Sequence, residues 1–466
     1  MNHFDVIVIG SGPAGQKAAV QASKAGKSVA LIERDQRLGG ACVYRGTIPS
    51  KTLRENALRV KKMRENAALC SFELAEDTEM STLIDRLNLV LKAHDTFMVN
   101  QISRNKIHRV HGRAKFLSAN EIEITRVRGE KETLSGTNFI IASGSIPRQP
   151  DNIPVDHENI YDSDSILTML YLPRSLTVLG GGVIASEYAS IFQALGVQVT
   201  MIDRYPLPLG FLDADLTTKF VSAFQSMGGV WMGEKQVTSV RWDGVSQVIT
   251  ECADGTVVKS SKLLCAAGRV ANVKDLCIEN AGLSLNENGN IPVNDLLQTS
   301  VNSIYAAGDV IGPPSLASAS MEQGRRASCN ALGLEIGPMS QMIPSGIYGI
   351  PELSAVGMTE QQAAKKHGDV IIGRANFEEI SRGQINGIKD GMLKLICDSD
   401  GEKILGVQIV GEGATELIHI GQMAMLANAN VDIFVESIFN FPTLAEAYRV
   451  AALAVIGQRQ KHNEKY

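Results

Sequence analysis

The chain has 466 residues, 44% hydrophobic and 20% charged, with a net charge of −5. That is the composition of a soluble globular protein of about two to four domains, and an acidic balance with only 5% aromatic residues excludes nucleic acid or an acidic membrane surface as a partner. No run approaches the ~20 apolar residues that span a bilayer, no signal peptide precedes the first strand, and seven scattered cysteines without a CxxC pair read as reduced thiols in the cytoplasm, with no metal site among them.

The first element is the apolar run Phe4–Ile9, which reads as a strand and ends in Gly10-Ser11-Gly12-Pro13-Ala14-Gly15. A helix pattern follows over Gln16–Ala25, then a second apolar run, Ser28–Ile32, closed by Glu33 and Arg34. Strand, glycine turn, helix, strand and acid form a dinucleotide-binding fingerprint. Gly10 permits the tight turn. Gly12 lets a pyrophosphate approach the helix N-terminus, whose free N–H groups favour an anion. Gly15 allows the helix to pack closely on the sheet, and Glu33 suits a ribose diol.

Leu38-Gly39-Gly40-Ala41-Cys42-Val43-Tyr44-Arg45-Gly46-Thr47-Ile48-Pro49-Ser50-Lys51 comes next. Its glycines let backbone approach a flat ligand. Pro49 fits the first turn of a helix, Lys51 lies in that first turn as well, and the helix continues over Thr52–Arg64. Residues 52–105 read as two helices joined by the polar stretch Ser71–Thr78. Short strands follow at Ile107–Val110, Ala114–Leu117, Glu121–Ile124 and Phe139–Ile141, the last leading into the small-residue turn Ala142-Ser143-Gly144-Ser145. His111 reads as a polar strand-end residue.

At Leu176–Leu179 the first theme repeats. The turn is Gly180-Gly181-Gly182-Val183-Ile184-Ala185, with a helix over Ser186–Leu195 and a strand over Gln198–Ile202 before Asp203. Asp203 lies as far past Ala185 as Glu33 lies past Gly15. Two such sites in one chain are far stronger evidence than one. Asp203 suits the ribose 2′-OH of NAD; the neighbouring Arg204 reads either as a partner for the 2′-phosphate of NADP or as an ordinary surface residue. Strands at Val237–Trp242, Gln247–Cys252 and Leu263–Ala266 lead to Gly268-Arg269. An apolar strand then ends in Gly308-Asp309, and Leu316-Ala317 opens a helix. Beyond residue 341, strands at Ser354–Gly357, Gly391–Cys397 and Ile404–Val410 precede a helix over Ala414–Leu426. The tail Gln458–Tyr466 reads as polar and mobile.

With these motifs in place, the whole chain resembles the flavin-dependent pyridine nucleotide–disulfide oxidoreductases. The resemblance implies an α/β fold of two nested Rossmann-like dinucleotide-binding domains, one for FAD and one for NAD(P), plus a C-terminal α+β dimerisation domain. The implied limits are 1–148 and 270–340 for the two FAD segments, 149–269 for the NAD(P) domain and 341–466 for dimerisation. It further implies a flavin contact at Gly40 and Cys42, an adenine edge at Ala114, a close chain crossing at Ser143-Gly144, and a return crossing at Gly268. Asp309 matches the aspartate that binds the ribityl chain, and the helix opened by Leu316-Ala317 points its dipole at the flavin.

Two positions depart from the family pattern. Thr47 stands where the second cysteine of the redox disulfide belongs. Phe441 stands where a histidine precedes Pro442-Thr443, with Glu446 retained, and phenylalanine cannot transfer a proton. His419, the histidine nearest in sequence, reads as structural on its helix. The dithiol chemistry is therefore absent, while Lys51 and Glu187 remain as candidates beside the flavin. Within the family, the single-cysteine loop ending in Gly-Thr-Ile-Pro-Ser-Lys resembles the branch that exchanges hydride between NADPH and NAD⁺. The expected cofactor is FAD, the substrates NAD(H) and NADP(H), and the assembly a homodimer or higher oligomer. Kept beside this are a flavin quinone or dye reductase and a divergent dihydrolipoamide dehydrogenase-like protein. A non-enzymatic NAD(P)H sensor is disfavoured because Lys51, Glu187 and the nucleotide site are retained.

Overall fold

The computed structural model describes residues 2–65, 79–83 and 85–463. Val6, Ile7, Val8 and Ile9 are buried because their strand, Asn2–Ile9, runs through the middle of a parallel sheet covered on both faces. It lies between Val29–Glu33 and Lys131–Ile141, with His108–His111 outside the former and Ile304–Ala306 parallel to the end of the latter. Glu121–Thr125 and Arg113–Ser118 extend the sheet in antiparallel fashion. Helices Pro13–Lys24 and Ala317–Ala331 share one face. A Cβ on Gly324 would stand 2.0 Å from the Ala14 carbonyl oxygen, so their close crossing depends on that glycine.

The second sheet repeats the parallel plan in the order Val230–Met232, Gln198–Ile202, Ser175–Leu179, Lys262–Cys265, Ile160–Asp162. Helix Val183–Ala194 packs against it, buried from Ala185 to Ala194. A three-stranded antiparallel sheet, Val237–Trp242, Val248–Cys252 and Val257–Ser260, stands beside it. The chain enters and leaves this unit through two strands that pair antiparallel, Ser145–Pro147 and Arg269–Ala271. The sheet of the third unit is five-stranded and antiparallel, in the order Ser345–Ile347, Leu353–Gly357, Ile404–Val410, Met392–Cys397, Ile371–Asn376. Helices Ala414–Leu426 and Glu446–Asn463 cover it. The fold is thus the expected α/β plan of two parallel sheets and a third antiparallel unit.

Helix Thr47–Glu65 joins the units. Its Leu53, Ala57 and Val60 pack with Tyr188 and Phe192 of the second unit. Its Arg54, buried, donates Nε to the Gly349 carbonyl at 3.0 Å and Nη2 to Glu352 Oε1 at 2.6 Å. Between the second and third units, Leu212 and Phe220 pack with Ile347 and Leu353. Close by, the buried Lys394 ammonium meets Asp213 and Asp215 at 3.0 Å and Glu360 at 2.7 Å.

Three local expectations need correction or limits. The helix after the glycine loop begins at Thr47, so Pro49 is its third residue and Lys51 lies beyond the first turn. Proline is tolerated there because the third N–H of a helix has no intrahelical partner. The tail is helical as far as Asn463, an extension of the C-terminal helix. The Ser71–Thr78 connection lies outside the described residues. Among the described residues no helix is long and apolar enough to cross a membrane.

Candidate active site

A cavity of about 820 Å³ runs between the three units. Gly10, Gly12, Glu33, Arg34, Gly40, Ala114 and Gly144 line it. Cys42, Lys51, Glu187, Asp309, Leu316 and Ala317 line it as well. The cavity is built by turns the sequence makes necessary. Gly10 has φ +102°, and a Cβ there would meet the Ala142 carbonyl oxygen at 2.3 Å. Gly15 lies outside the cavity and packs against Gly10, where an added Cβ would stand 1.8 Å from the carbonyl oxygen. Two long helices, Pro13–Lys24 and Ala317–Ala331, begin on the cavity wall, and their positive ends favour an anion or a negatively charged ring.

Glu33 is buried and already engaged. Its Oε2 accepts from the Ser11 N–H at 2.9 Å and the Ser11 hydroxyl at 2.6 Å, and its Oε1 accepts from the Asp35 N–H at 2.9 Å. Ser11 in turn accepts from the Gly39 N–H at 3.1 Å, which ties the first fingerprint to the glycine loop. His111 is the last residue of its strand, with its Nε2 3.2 Å from the Arg34 carbonyl oxygen.

Also on the cavity wall, Lys51 Nζ stands 2.7 Å from Glu187 Oε2, with side-chain exposures of 26% and 6%. Glu187 Oε1 accepts from the backbone N–H of Tyr348 at 2.9 Å, and the Lys51 ammonium lies 4.8 Å from the Tyr348 ring centroid. Residues from all three units therefore meet at one point. Cys42 is half-buried. Burial pushes its thiol above the ordinary value, against the hydrogen bond with Thr47 and the charge of Lys51. Among the described residues every cysteine is free, and no cluster of side chains suits a metal ion.

Of the second fingerprint, Val183 and Ile184 line this cavity, whereas Gly180, Gly182 and Ala185 do not. Gly180 takes φ +115°, and Gly182 opens helix Val183–Ala194 with no atom of the described residues within 4 Å of where its Cβ would be. Ala185 is buried in the packing of that helix. Asp203 Oδ1 accepts from the Tyr205 N–H at 2.8 Å. Arg204 is exposed, folds over the Tyr205 ring at 4.9 Å and donates to its hydroxyl at 3.1 Å. Gly268, at φ +102°, accepts from the Arg148 N–H at the return crossing.

Several cavity residues were not singled out from the sequence. Ser145, Asp164, Arg269, Tyr188 and Tyr348 all line it. No motif announces Tyr348, which arrives from the third unit. Ser145 and Arg269 stand within the motifs at the two crossings, and their polar side chains are the signal that marks them for a role in the site. His419 also lines the cavity, with its Nδ1 2.8 Å from Gln422 Oε1. Phe441 is exposed and precedes a cis Pro442.

Comparison with known proteins gives a consistent picture. The family described as "Pyridine nucleotide-disulphide oxidoreductase" matches residues 4–324, and its dimerisation domain matches residues 343–452. A relative named soluble pyridine nucleotide transhydrogenase, from Mycobacterium tuberculosis (strain ATCC 25177 / H37Ra), is 40% identical over 466 residues, covering 100% of this chain and 99% of the relative. One of the same name from Vibrio vulnificus (strain YJ016) is 40% identical over 457 residues, covering 97% and 98%. Among solved structures, the HOCl-induced flavoprotein disulfide reductase RclA from Escherichia coli is similar at a TM-score of 0.86 and 27% identity, covering 96% of this chain and 99% of that one. LpdA from Mycobacterium tuberculosis shares the fold at a TM-score of 0.88 and 24% identity, covering 97% and 99%.

Proposed function

The chain belongs to the pyridine nucleotide-disulphide oxidoreductase family, and from that membership we propose that it is an FAD-dependent enzyme transferring hydride between NADPH and NAD⁺. The observation that carries the reading is the meeting of Lys51 and Glu187 on the wall of a flavin-sized cavity, beside a second nucleotide fingerprint and a cysteine whose neighbour is Thr47 instead of a second thiol. The shared name of full-length relatives supports it.

The residues present fit FAD. The cavity volume lies within the range of cofactor sites, roughly 300–1,000 Å³. Gly12 and Gly144 leave backbone bare to it, with no atom of the described residues within 4 Å of where a Cβ would be. The Ser143 Oγ in its wall is buried without a hydrogen-bond partner among the described residues, as expected of a group that a ligand would satisfy. On this reading Gly10, Gly12, Glu33 and Arg34 hold the adenosine end with Ala114, and Ser143, Gly144 and Asp309 hold the middle. Gly40, Cys42, Lys51 and the helix start at Leu316-Ala317 surround the ring. FAD, when bound, supplies a ring that accepts hydride from one nucleotide and returns it to another.

The chain's residues position the partners. Lys51 places a positive charge at the ring edge and Glu187 holds that charge in place. Gly180, Gly182, Ala185, Asp203 and Arg204 bind the nicotinamide nucleotide, and Gly268 keeps the return crossing narrow. The proposed limits of the units are 1–148 and 270–340, 149–269, and 341–466. The protein works as a homodimer, supported by the matched dimerisation domain and by the exposed apolar side chains of Ile438 and Phe441. Free cysteines among the described residues suit the cytoplasm.

Because one nicotinamide fingerprint accompanies one flavin fingerprint, donor and acceptor take turns at a single site. Initial velocities of the purified holoprotein with NADPH and an NAD⁺ analogue, and no other acceptor, test this. Parallel double-reciprocal lines are expected. Intersecting lines would reveal a second nucleotide site. Faster turnover with a quinone or dye would move the assignment to a quinone reductase.

A further inference from the structure

We infer that Arg269 is a positioning residue for the Asp309 carboxylate, acting through the hydroxyl of Ser145. The inference rests on the reading above that the cavity holds FAD with Asp309 on its ribityl chain. The geometry is a directed relay. Arg269 Nε donates to Ser145 Oγ at 2.9 Å, and Ser145 Oγ donates to Asp309 Oδ2 at 2.7 Å. A serine hydroxyl carries one proton and two lone pairs. With an arginine N–H on a lone pair, the single proton is left for Asp309, and the guanidinium charge polarises the O–H toward the carboxylate.

The remaining donors of Arg269 hold the relay still. Nη2 donates to the Ser145 carbonyl at 2.8 Å, which fixes the main chain of the residue whose hydroxyl it also orients. Nη1 donates to Ser163 Oγ at 2.9 Å and to Asp164 Oδ1 at 2.8 Å. Side-chain exposures of 22% and 19% place the Arg269–Asp164 pair largely out of water. On the far side, the Gly308 N–H donates to Gln323 Oε1 at 2.9 Å, so the backbone entering Asp309 is pinned as well. What remains free at Asp309 is its side-chain rotamer, and Ser145 sets it. The other carboxylate oxygen is then available to a sugar hydroxyl. The same guanidinium ties Ser163 and Asp164, beside strand Ile160–Asp162 of the second unit, to this carboxylate of the first.

A double-mutant cycle on FAD affinity tests the relay. Full-length protein is freed of flavin, and FAD binding is followed by fluorescence quenching for wild type, Ser145→Ala, Arg269→Lys and the double variant. Each single change should weaken FAD about tenfold, the loss of one charge-assisted hydrogen bond. The double variant should bind no worse than the weaker single, since both changes cut one chain. Ser145→Thr, which keeps the hydroxyl, should stay near wild type and shows that folding is not the cause. Both single variants should shift the visible absorption of bound flavin in the same direction. Additive losses in the double variant, or wild-type affinity and spectrum in Arg269→Lys, would overturn the relay. Failure of the wild-type protein itself to bind FAD would overturn the cofactor reading and this inference with it.

Discussion

Glu187 holds Lys51 at 2.7 Å with one carboxylate oxygen while the other oxygen is committed to the Tyr348 N–H. An exposed ion pair is worth little, but here the carboxylate side chain is 6% exposed and both its oxygens are occupied. That is an arrangement for fixing a cation in place. Lys51→Met should keep FAD and lower the hydride-transfer rate by about a hundredfold, the scale of one lost electrostatic stabiliser. Glu187→Gln keeps the shape and loses the charge, so its loss should be smaller, about tenfold. Stopped-flow reduction by NADPH measures both. Unchanged rates in Lys51→Met would leave the pair as a structural tie between units.

Thiol chemistry should be dispensable. Cys42→Ser should retain most of the transhydrogenase rate, and the reduced wild-type protein should lack a long-wavelength thiolate–flavin absorption. Because burial raises the Cys42 thiol above its ordinary value, the protonated form prevails at neutral pH. Alkylation by iodoacetamide should therefore be slow there and accelerate only above the usual thiol range. Rapid alkylation at neutral pH, or dihydrolipoamide oxidation rivalling hydride exchange, would contradict this.

Glu33 carries two burdens, since it already accepts three hydrogen bonds from Ser11 and Asp35. Glu33→Gln keeps the volume but loses the charge that makes those bonds and a ribose contact strong. FAD affinity should fall about tenfold or more, read by equilibrium dialysis. Flavin occupancy equal to wild type would show that the first fingerprint binds something else.

Nucleotide choice should be split between neighbours. Asp203 accepts from a free 2′-OH and repels a 2′-phosphate, whereas Arg204 attracts the phosphate. In the structure Arg204 rests on Tyr205 and Asp203 holds the Tyr205 N–H, so both side chains are held beside one another. Arg204→Ala should raise KM for NADPH by roughly ten- to a hundredfold and leave NADH within a few fold. Asp203→Ala should weaken NADH and spare NADPH. Equal effects of Arg204→Ala on both nucleotides would make it a surface residue.

Much of this architecture was legible because glycine and apolar periodicity report on backbone, and backbone makes the two parallel sheets. The turns at Gly10 and Gly180 are both left-handed, as their position between strand and helix required. Lys51 and Glu187 stand far apart in sequence, yet each is adjacent to a motif, and the fold brings them together. Tyr348 had no such marker. It reaches the cavity because the sheet of the third unit packs against the second unit, and a tertiary docking of that kind leaves no periodic trace. Lys51 falls outside the first turn for a local reason: proline is acceptable at any position of the first turn, and here the helix opens two residues before Pro49.

Helix Thr47–Glu65 has a consequence for how the protein comes apart. It lends Leu53, Ala57 and Val60 to a core shared with the second unit and Arg54 to a buried ion pair with the third. Withdrawing the second unit would expose that apolar surface, and withdrawing the third would break the Arg54–Glu352 pair and leave Arg54 to Glu55 of its own helix. No unit can melt by itself without first prying that helix loose. Partial opening is thereby discouraged, and the three units are expected to unfold together despite the mixed order in which the chain visits them.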